Sequence, residues 1–458
     1  MIQVVEPATE RIIAELRRHD ADDVDAAISR AGRALPGWAA ISPSRRAALL
    51  RSVAIAIDAH RDKLIDLEIR NAGKTFADAE GEVDDSIDLF NYFSGASERL
   101  LGMTVPVSGG IALTVHEPIG VVGVITAWNS PLVLLARKLA PALAAGNVVV
   151  QKPAELTPLS ALHMIAILLE AGVPENVFQV VIGEGAVVGE RLVTHPDVGK
   201  ISFTGSTAVG QSIAAQCGRL VKHVSLELGG KSANIIFDDA DIDEAVRQAG
   251  PAVFGSAGQD CCARSRILVQ ENIFEAFLEA LEPVVMSTRV GDPVDREVQV
   301  GPLISRRQRD AVATYVERSN SVAIVGAAPD GPGFWYPPTV IAPDSWDSDT
   351  AQSEIFGPVV SVIPFSNEAD AIRIANSTKY GLAGSIWTEN GKRAMRVARG
   401  LHTGNISINS HLSVRVTTPF GGVKQSGLGR ELGPHAVYDF TETKTIFTST
   451  ASARSEED

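Results

Sequence analysis

Three residues in distinctive local sequences are candidates for nucleophilic catalysis. Cys261, in the sequence GQDCC, offers a thiol, and cysteine is the most accessible strong nucleophile of proteins near neutral pH. Glu227 lies between two leucines and before two glycines, where burial would raise its pKa toward that of a general base. Asn129 follows the apolar run VVGVIT, and its amide could donate a hydrogen bond to a developing oxyanion.

Each of these residues also has a purely structural interpretation. A single cysteine is more often buried and inert than catalytic. A glutamate at the end of a strand is often a surface residue, and an asparagine often completes its own turn. Taken alone, none of the three motifs assigns a reaction.

Two further motifs are typical of nucleotide binding. Gly205-Ser206 connects an apolar run to a helical pattern, so the backbone could approach a phosphate at a helix N-terminus. The next glycine is Gly210, and this spacing differs from the GxGxxG fingerprint, so a tight strand–helix turn explains the motif equally well. Lys152 and Glu155 follow another apolar run and could hold sugar hydroxyls, or could form a solvated surface pair.

These motifs follow short β-branched runs that alternate with helical patterns. Strands are predicted at 121–126, 148–151, 177–182, 200–204 and 221–226. Helices are predicted at 131–145, 158–172 and 206–217, and in a segment that ends near His195. The alternation predicts βαβ units in a parallel sheet, and a second alternation from Ser232 predicts a second α/β domain. Residues 22–104 show mainly helical periodicity, with Ser42 as the N-cap of a helix over 43–59.

The composition excludes several classes of protein. The chain has 41 Lys and Arg against 55 Asp and Glu, a net charge of −14, which disfavours binding to nucleic acid or to an anionic membrane. Three cysteines without a CxxC pair indicate neither a disulfide framework nor a structural zinc site, and we expect no metal. The N-terminus lacks the apolar core of a signal peptide, and the longest apolar stretch contains Arg137 and Lys138. We therefore expect a cytoplasmic protein without a membrane span.

Together, the order and spacing of the motifs resemble the aldehyde dehydrogenase superfamily along nearly the whole chain. The motifs that carry the resemblance are WNSP at 128–131, QKPAE at 151–155, FTGS at 203–206, LELGGK at 226–231, GQDCC at 258–262, EIFGP at 354–358 and the glycine-rich segment at 419–431. The resemblance implies an aldehyde dehydrogenase-like α/β fold, with a Rossmann-type cofactor domain, an α/β catalytic domain and a small β oligomerisation arm.

The resemblance also implies a role for each matched residue. Cys261 would be the nucleophile, Glu227 the general base, and Asn129 the oxyanion-hole donor together with the backbone N–H of Cys261. Glu431 would match a second glutamate that serves proton relay in some members. The residues expected to bind NAD are Thr126, Trp128, Lys152, Glu155, Gly205, Ser206, Gly210, Leu228, Glu354 and Phe356. NADP is the alternative cofactor, and the carboxylate of Glu155 favours NAD because it would repel a 2′-phosphate.

The implied reaction is the NAD-dependent oxidation of an aldehyde to a carboxylic acid through a cysteine thiohemiacetal and a thioester. One alternative is a CoA-acylating semialdehyde dehydrogenase, although such relatives usually lack the glutamate found here as Glu227. Another is a catalytically silent binding protein, which would be expected to have lost Cys261, Glu227 or Asn129.

The substrate is expected to be a small aldehyde bound in a tunnel next to Cys261. By the resemblance, the tunnel is lined by Ser130, Leu134, Arg137, Asp260, Cys262, Leu412, Val414 and Phe420. Arg137 would either bind a polar or anionic group of the substrate or pair with a carboxylate such as Asp260. A cation and a single aromatic residue disfavour betaine aldehyde and favour carboxylate-bearing or aromatic aldehydes.

The same resemblance predicts the organisation of the chain. Residues 1–100 and 119–229 would form the NAD-binding domain, 230–430 the catalytic domain, 101–118 and 431–450 the oligomerisation arm, and 451–458 a flexible tail. The chain starts close to the segment EPAT at 6–9, which puts the N-terminal strands in doubt. A homodimer or a homotetramer is expected.

Overall fold

The computed structural model describes residues 1–412 and 414–450, and the predicted tail at 451–458 lies outside that part of the chain. Its α-helices, in chain order, are α1 (Ala21–Ala39), α2 (Pro43–Ala59), α3 (Arg61–Ala72), α4 (Phe76–Ser94), α5 (Pro131–Ala144), α6 (Leu159–Glu170), α7 (Glu190–Thr194), α8 (Thr207–Leu220), α9 (Ile242–Phe254), α10 (Phe274–Ser287), α11 (Arg306–Glu317), α12 (Asp349–Gln352), α13 (Glu368–Asn376) and α14 (Gly391–Gly400).

The strands form a six-stranded sheet, a seven-stranded sheet, a three-stranded sheet and a hairpin. In chain order they are β1 (Ile2–Val5), β2 (Ile12–Leu16), β3 (Thr104–Val107), β4 (Gly110–Pro118), β5 (Val121–Ile125), β6 (Val148–Lys152), β7 (Phe178–Val180), β8 (Val198–Thr204), β9 (His223–Glu227), β10 (Ala233–Ile236), β11 (Arg266–Gln270), β12 (Val322–Val325), β13 (Thr339–Ile341), β14 (Val359–Phe365), β15 (Ala383–Trp387), β16 (Asn405–Ile408), β17 (Gly427–Leu428) and β18 (Thr441–Ser449).

The six-stranded sheet has the order β17-β9-β8-β5-β6-β7. Its neighbouring strands pair in parallel, except that β17 pairs antiparallel with β9, and this confirms the predicted parallel sheet. Every residue of β5 is buried, because both faces of the sheet are covered. The chain runs from β5 to β6 and β7 on one side, then to β8 and β9 on the other. A crevice therefore opens at the carboxyl ends of β5 and β8.

One predicted boundary in this sheet is wrong. Val221 was expected to begin a strand, but it ends α8 in the left-handed conformation, with φ of 56°, and the strand begins at His223. A β-branched residue rarely adopts this conformation, so its intrinsic preference for strands misleads the prediction here. The predicted helix over 43–59 is confirmed, including its cap, since the Ser42 side chain accepts a hydrogen bond from the Arg45 N–H.

The seven-stranded sheet has the order β12-β13-β14-β11-β10-β15-β16. Two apolar clusters pack against it, one centred on residues such as Phe254 and Val362 and the other on residues such as Phe365 and Ile386. This arrangement confirms a second α/β unit after Ser232. Its boundary with the first unit stays a prediction, and β17, which comes from the segment 230–430, lies in the first sheet.

The N-terminal strands, which the sequence left in doubt, form the hairpin β1-β2. The turn between them contacts the second α/β unit, because the Phe334 N–H donates to the Pro7 carbonyl oxygen over 3.1 Å and Arg306 pairs with Glu10 over 2.5 Å. The hairpin, which precedes α1 in the chain, therefore packs against the unit that contains the second sheet.

The segments predicted to form an arm are paired as β18-β4-β3. This sheet exposes apolar side chains, among them Val105, Leu113 and Phe447, and the last is 56% exposed. An exposed apolar ribbon of this kind is typical of a protein contact surface. Among the described residues, no helix combines the length and apolar character that a membrane span needs.

The loop that leads to Cys261 begins where α9 ends. Ser256, Ala257 and Gly258 follow one another in the left-handed region, with φ of 50°, 56° and 67°. A Cβ on Gly258 would lie 2.0 Å from the carbonyl oxygen of Gly357, so this loop packs backbone against backbone on the segment that carries Phe356. Consecutive left-handed residues at such a position are strained and need support from their surroundings.

Gly258→Ala should therefore destabilise the protein. The new methyl group would strike the Gly357 backbone at a left-handed position, and we expect the free energy of unfolding to fall by about 2–4 kcal/mol. Gly255→Ala is the matched control, since a Cβ there meets nothing within 4 Å. Thermal unfolding of both variants checks this, and equal midpoints would contradict the packing described for Gly258.

Candidate active site

The three predicted catalytic side chains line one cavity of about 550 Å³. Asn129 enters it from the end of β5, Glu227 from the end of β9, and Cys261 from the loop between α9 and β11. The crevice in the first sheet accounts for the positions of Asn129 and Glu227, because the carboxyl ends of parallel strands meet at one edge. Cys261 is supplied by the second α/β unit, so the cavity lies between the two.

The loop that carries Cys261 is held in place by side-chain to backbone hydrogen bonds and by close packing against Gly230. The Asn129 amide donates from Nδ2 to the carbonyl oxygen of Gln259 over 2.9 Å, and the Gln259 side chain accepts from the Ile304 N–H over 2.9 Å. A Cβ on Gly230 would lie 2.3 Å from the Cys261 carbonyl oxygen. Gly230 therefore has to be glycine for the loop to lie this close to the end of β9.

The surroundings of Cys261 favour the protonated thiol. Its Sγ lies 4.0 Å from the Sγ of Cys262. The contact with the Cys262 thiol, together with burial, raises the pKa of Cys261 well above its ordinary value. A nucleophilic role therefore requires that the thiol lose its proton when substrate and cofactor are bound.

Glu227 is a buried carboxyl, not a surface residue, with only 6% of its surface exposed. Its Oε2 has no hydrogen-bond partner among the described residues, and a Cβ on Gly421 would lie 2.8 Å from its Oε1. Burial and the charge of Glu431 raise the pKa of Glu227 well above its ordinary value. A raised pKa makes such a carboxylate a stronger base than an exposed glutamate.

A buried ion pair lies behind Glu227. Lys138 from α5 contacts the carboxylate of Glu431, and Lys138 is fully buried. The positive charge of Lys138 also opposes the rise in the pKa of Glu227. Glu227, Lys138 and Glu431 thus share one buried region, and the proton-relay role expected for Glu431 stays a prediction.

Glu354 and Phe356 also line the cavity that contains Asn129. The Gly230 N–H donates to Glu354 Oε1 over 2.8 Å, and burial raises the pKa of Glu354 to about 7. Phe356 adopts φ of 57° and packs edge-on against Trp128, with ring centroids 5.3 Å apart. Gln308 donates to the Phe356 carbonyl oxygen over 2.9 Å and also lines the cavity. Leu228, another predicted cofactor residue, lines the same cavity.

The other predicted cofactor residues, apart from Gly210, line a neighbouring cavity of about 650 Å³, and they are Thr126, Trp128, Lys152, Glu155, Gly205 and Ser206. The two cavities share a wall that includes Trp128 and Gly205. Lys152 is 4% exposed and its Nζ lies 3.1 Å from Glu155 Oε1, so this pair is not the solvated surface pair of the alternative interpretation. Burial lowers the pKa of Lys152, and the Glu155 charge opposes this.

The glycines after β8 have packing roles. A Cβ on Gly205 would lie 2.5 Å from the ring of Phe203, and Ser206 caps α8 by accepting from the Val209 N–H. A Cβ on Gly210 would lie 2.4 Å from Leu228 Cδ2. Gly210 thus lies behind the cavity wall and supports Leu228, which explains the unusual glycine spacing by close packing.

Several wall residues were missed from the sequence. A π-helix at Gly185–Gly189 lines the larger cavity, and Gln308 and Lys74 line the smaller one. Two glycines four apart are a weak signal for the first. Gln308 and Lys74 are isolated polar residues whose neighbours carry no pattern, so no local signal could have found them.

The predicted substrate tunnel is largely found in the smaller cavity, which is lined by Ser130, Leu134, Arg137, Asp260, Cys262 and Val414. One member of that prediction, Phe420, is wrong, because it is 2% exposed and lies behind Arg137, with its ring centre 5.4 Å from the guanidinium carbon. Leu412 lines an adjoining cavity of about 300 Å³, which shares Asp260, Cys262 and Val414 with the first. Arg137 forms no ion pair within 4.0 Å with any carboxylate of residues 1–412 and 414–450, so the suggested pair with Asp260 is absent.

Comparison with known proteins agrees with the resemblance. The sequence profile of the aldehyde dehydrogenase family matches residues 1–446. An aldehyde dehydrogenase of Emericella nidulans is 40% identical over 451 residues, which are 97% of this chain and 91% of that protein. A betaine aldehyde dehydrogenase of Cereibacter sphaeroides is 42% identical over 452 residues, 97% of this chain and 93% of that protein.

A solved structure has the same fold. The NAD+ complex of an aldehyde dehydrogenase from Bacillus cereus superposes with a TM-score of 0.96 at 38% identity, and the match covers 98% of this chain and 93% of that one. The chain therefore belongs to the aldehyde dehydrogenase family and, as its sequence predicts, is an NAD(P)-dependent oxidoreductase that acts on the aldehyde group.

Proposed function

We propose that the protein oxidises an aldehyde to a carboxylic acid with NAD, through a covalent intermediate on Cys261. The observation that supports this most strongly is the single cavity that contains Cys261, Asn129 and Glu227 and shares a wall with the cavity of the predicted cofactor residues. A nucleophile, an oxyanion donor and a base within reach of one bound molecule are the parts that acyl chemistry needs.

The residues of the second cavity fit a dinucleotide. Buried Lys152 and half-buried Glu155 form an ion pair that could hold ribose hydroxyls, and Gly205 and Ser206 at the N-terminus of α8 would receive a pyrophosphate. Glu354 and Phe356, which line the cavity that contains Cys261, would hold the nicotinamide ribose. When bound, NAD accepts the hydride that leaves the substrate. The carboxylate of Glu155 favours NAD over NADP because it would repel a 2′-phosphate.

The chain's own residues perform the covalent steps. Cys261 loses its proton and its sulfur attacks the aldehyde carbon, which gives a thiohemiacetal oxyanion held by Asn129 Nδ2 and the Cys261 N–H. Loss of hydride leaves a thioester on Cys261. Glu227 then takes a proton from a water molecule that hydrolyses the thioester, which releases the acid and restores the thiol.

The proposal also covers the oligomeric state and the cellular location of the protein. The exposed apolar sheet β18-β4-β3 supports a homodimer or homotetramer in which a second copy covers the arm. The acidic composition and the three unpaired cysteines support a cytoplasmic location.

Separate alanine substitutions of Cys261 and of Cys262 test which of the two thiols is the nucleophile. Cys261→Ala should abolish NADH formation while calorimetry still detects NAD binding, because the thiol acts on the aldehyde and not on the cofactor. Cys262→Ala should keep most of the activity, and Cys261 in this variant should be alkylated by iodoacetamide at lower pH than in the wild type, since the contact that raises the pKa of Cys261 is gone. The opposite pattern of activities would assign the reaction to Cys262.

Glu227→Gln tests the base. The amide keeps the size of the side chain but cannot take a proton, so thioester hydrolysis should slow by about 10²–10⁴-fold. Stopped-flow fluorescence should show one equivalent of NADH per active site and then a stall, with and without added CoA. Unimpaired steady turnover in this variant would remove Glu227 from the mechanism, and a strict requirement for CoA in the wild type would favour the acylating alternative.

A further inference from the structure

We infer that Arg137 binds the carboxylate of the substrate, so that the enzyme prefers aldehydes with a carboxylate at the far end of a short aliphatic chain. This inference rests on the proposed function and concerns the substrate class of the same cavity. It follows from the position of Arg137, from its contacts and from the charges around it.

Arg137 lies on the helix face that forms the cavity wall. Ser130, Val133, Leu134 and Arg137 all line the cavity, and their spacing of i, i+3, i+4 and i+7 places them in one stripe along α5. Seven residues of α-helix span about 10 Å. This part of the wall therefore extends from Asn129, just before the helix, to Arg137.

The guanidinium group has unused donors. Its carbon lies 5.4 Å from the ring centre of Phe420, which occupies one face of the group. In the described part of the chain, Arg137 donates no hydrogen bond and forms no ion pair within 4.0 Å. The N–H groups of Arg137 are therefore available to a ligand, and their fork geometry matches a carboxylate, which can accept two of these hydrogen bonds. An aromatic ring could stack on the guanidinium group but would leave these donors without acceptors.

Carboxylates of the cavity wall act on Arg137 without pairing with it. Asp85 and Glu227 both interact electrostatically with its charge, and neither forms an ion pair with it within 4.0 Å among the described residues. Among the described residues of this cavity wall, the other cation is Lys74, whose Nζ lies 2.5 Å from Glu82 Oε1. Lys74 is therefore already paired. Asp85 lies at the exposed rim, where partial burial raises its pKa and the charge of Arg137 opposes this rise. Asp85 is close enough to act on Arg137 without a direct ion pair, so it would compete weakly with a substrate anion.

The part of the cavity between Asn129 and Arg137 suits the methylene chain of a substrate. Val133, Leu134 and Val414 present aliphatic surface, and Ala77 and Gly81 on α4 leave room opposite them. Trp128 and Phe356 line the same cavity, but a trimethylammonium group would be repelled by the positive charge at the Arg137 end. The enzyme should therefore differ in substrate from the relatives named as betaine aldehyde dehydrogenases.

Matched pairs of substrates test this inference. We would measure kcat/KM for succinate semialdehyde against butanal and for 6-oxohexanoate against hexanal, with betaine aldehyde as a further substrate. The wild type should favour the carboxylate member of at least one pair and should turn over betaine aldehyde most slowly. Each pair keeps the chain length constant, so the ratio of the two values reports on the carboxylate alone.

Three variants and a control test whether the preference for carboxylate-bearing substrates comes from Arg137. Arg137→Gln should lower the carboxylate-to-neutral ratio by about 10- to 100-fold, since charge-assisted hydrogen bonds are lost, and Arg137→Lys should restore part of it. Asp85→Asn should raise the ratio, because it removes a competing anion. Arg51→Gln is the matched control, because Arg51 is exposed on α2 and should leave the ratio unchanged.

The outcomes separate this inference from the proposed function. NADH formation with neutral aldehydes, together with a ratio near one in the wild type or an unchanged ratio in Arg137→Gln, would overturn the role of Arg137 and leave the reaction intact. Faster turnover of betaine aldehyde than of either semialdehyde would overturn it as well. Failure to oxidise any aldehyde would instead overturn the proposed function. If Arg137→Gln fails to fold, Arg137→Lys and Asp85→Asn decide the matter, since unchanged ratios in both would contradict the inference.

Discussion

The close packing at Gly229-Gly230 is the constraint on which the active site depends. A Cβ on Gly229 would lie 2.1 Å from Glu354 Oε2, and a Cβ on Gly230 would lie 2.3 Å from the Cys261 carbonyl oxygen. The pair directly follows Glu227 at the end of β9. Segments from both α/β units therefore meet at two residues without side chains, and larger residues there would separate the base from the segment that carries the nucleophile.

This packing also affects the pKa values of the titratable groups in the active site. Burial places Glu227, Glu354 and the thiol of Cys261 where water cannot solvate their charges, and the pKa of each is raised. The charge of Lys138 partly opposes the effect at Glu227. In the absence of ligands the Cys261 thiol thus ionises less readily than an exposed cysteine, and the carboxyl of Glu227 holds its proton more tightly than an exposed glutamate does. A thiol kept protonated in this way is protected from oxidation until substrate and cofactor change its surroundings.

Much of the fold could be predicted from the sequence, because its signals are local. The apolar runs and glycine turns predict β5, β8 and the helices after them, and a cap residue such as Ser42 predicts the start of its helix. The position of Phe420 behind Arg137 and the pairing of β17 with β9 depend on contacts between distant segments, which periodicity does not report. The roles of Cys261, Glu227 and Asn129 came from resemblance, since each motif alone has an equally ordinary structural explanation.

The most direct test of the account is to trap the covalent intermediate. Glu227→Gln would be mixed with NAD and an aldehyde, quenched in acid, and its peptides analysed by tandem mass spectrometry. The account predicts an acyl group on Cys261, with a mass that follows the aldehyde used and with Cys262 unmodified. An acyl group on Cys262, or NADH release without any acylated cysteine, would contradict it.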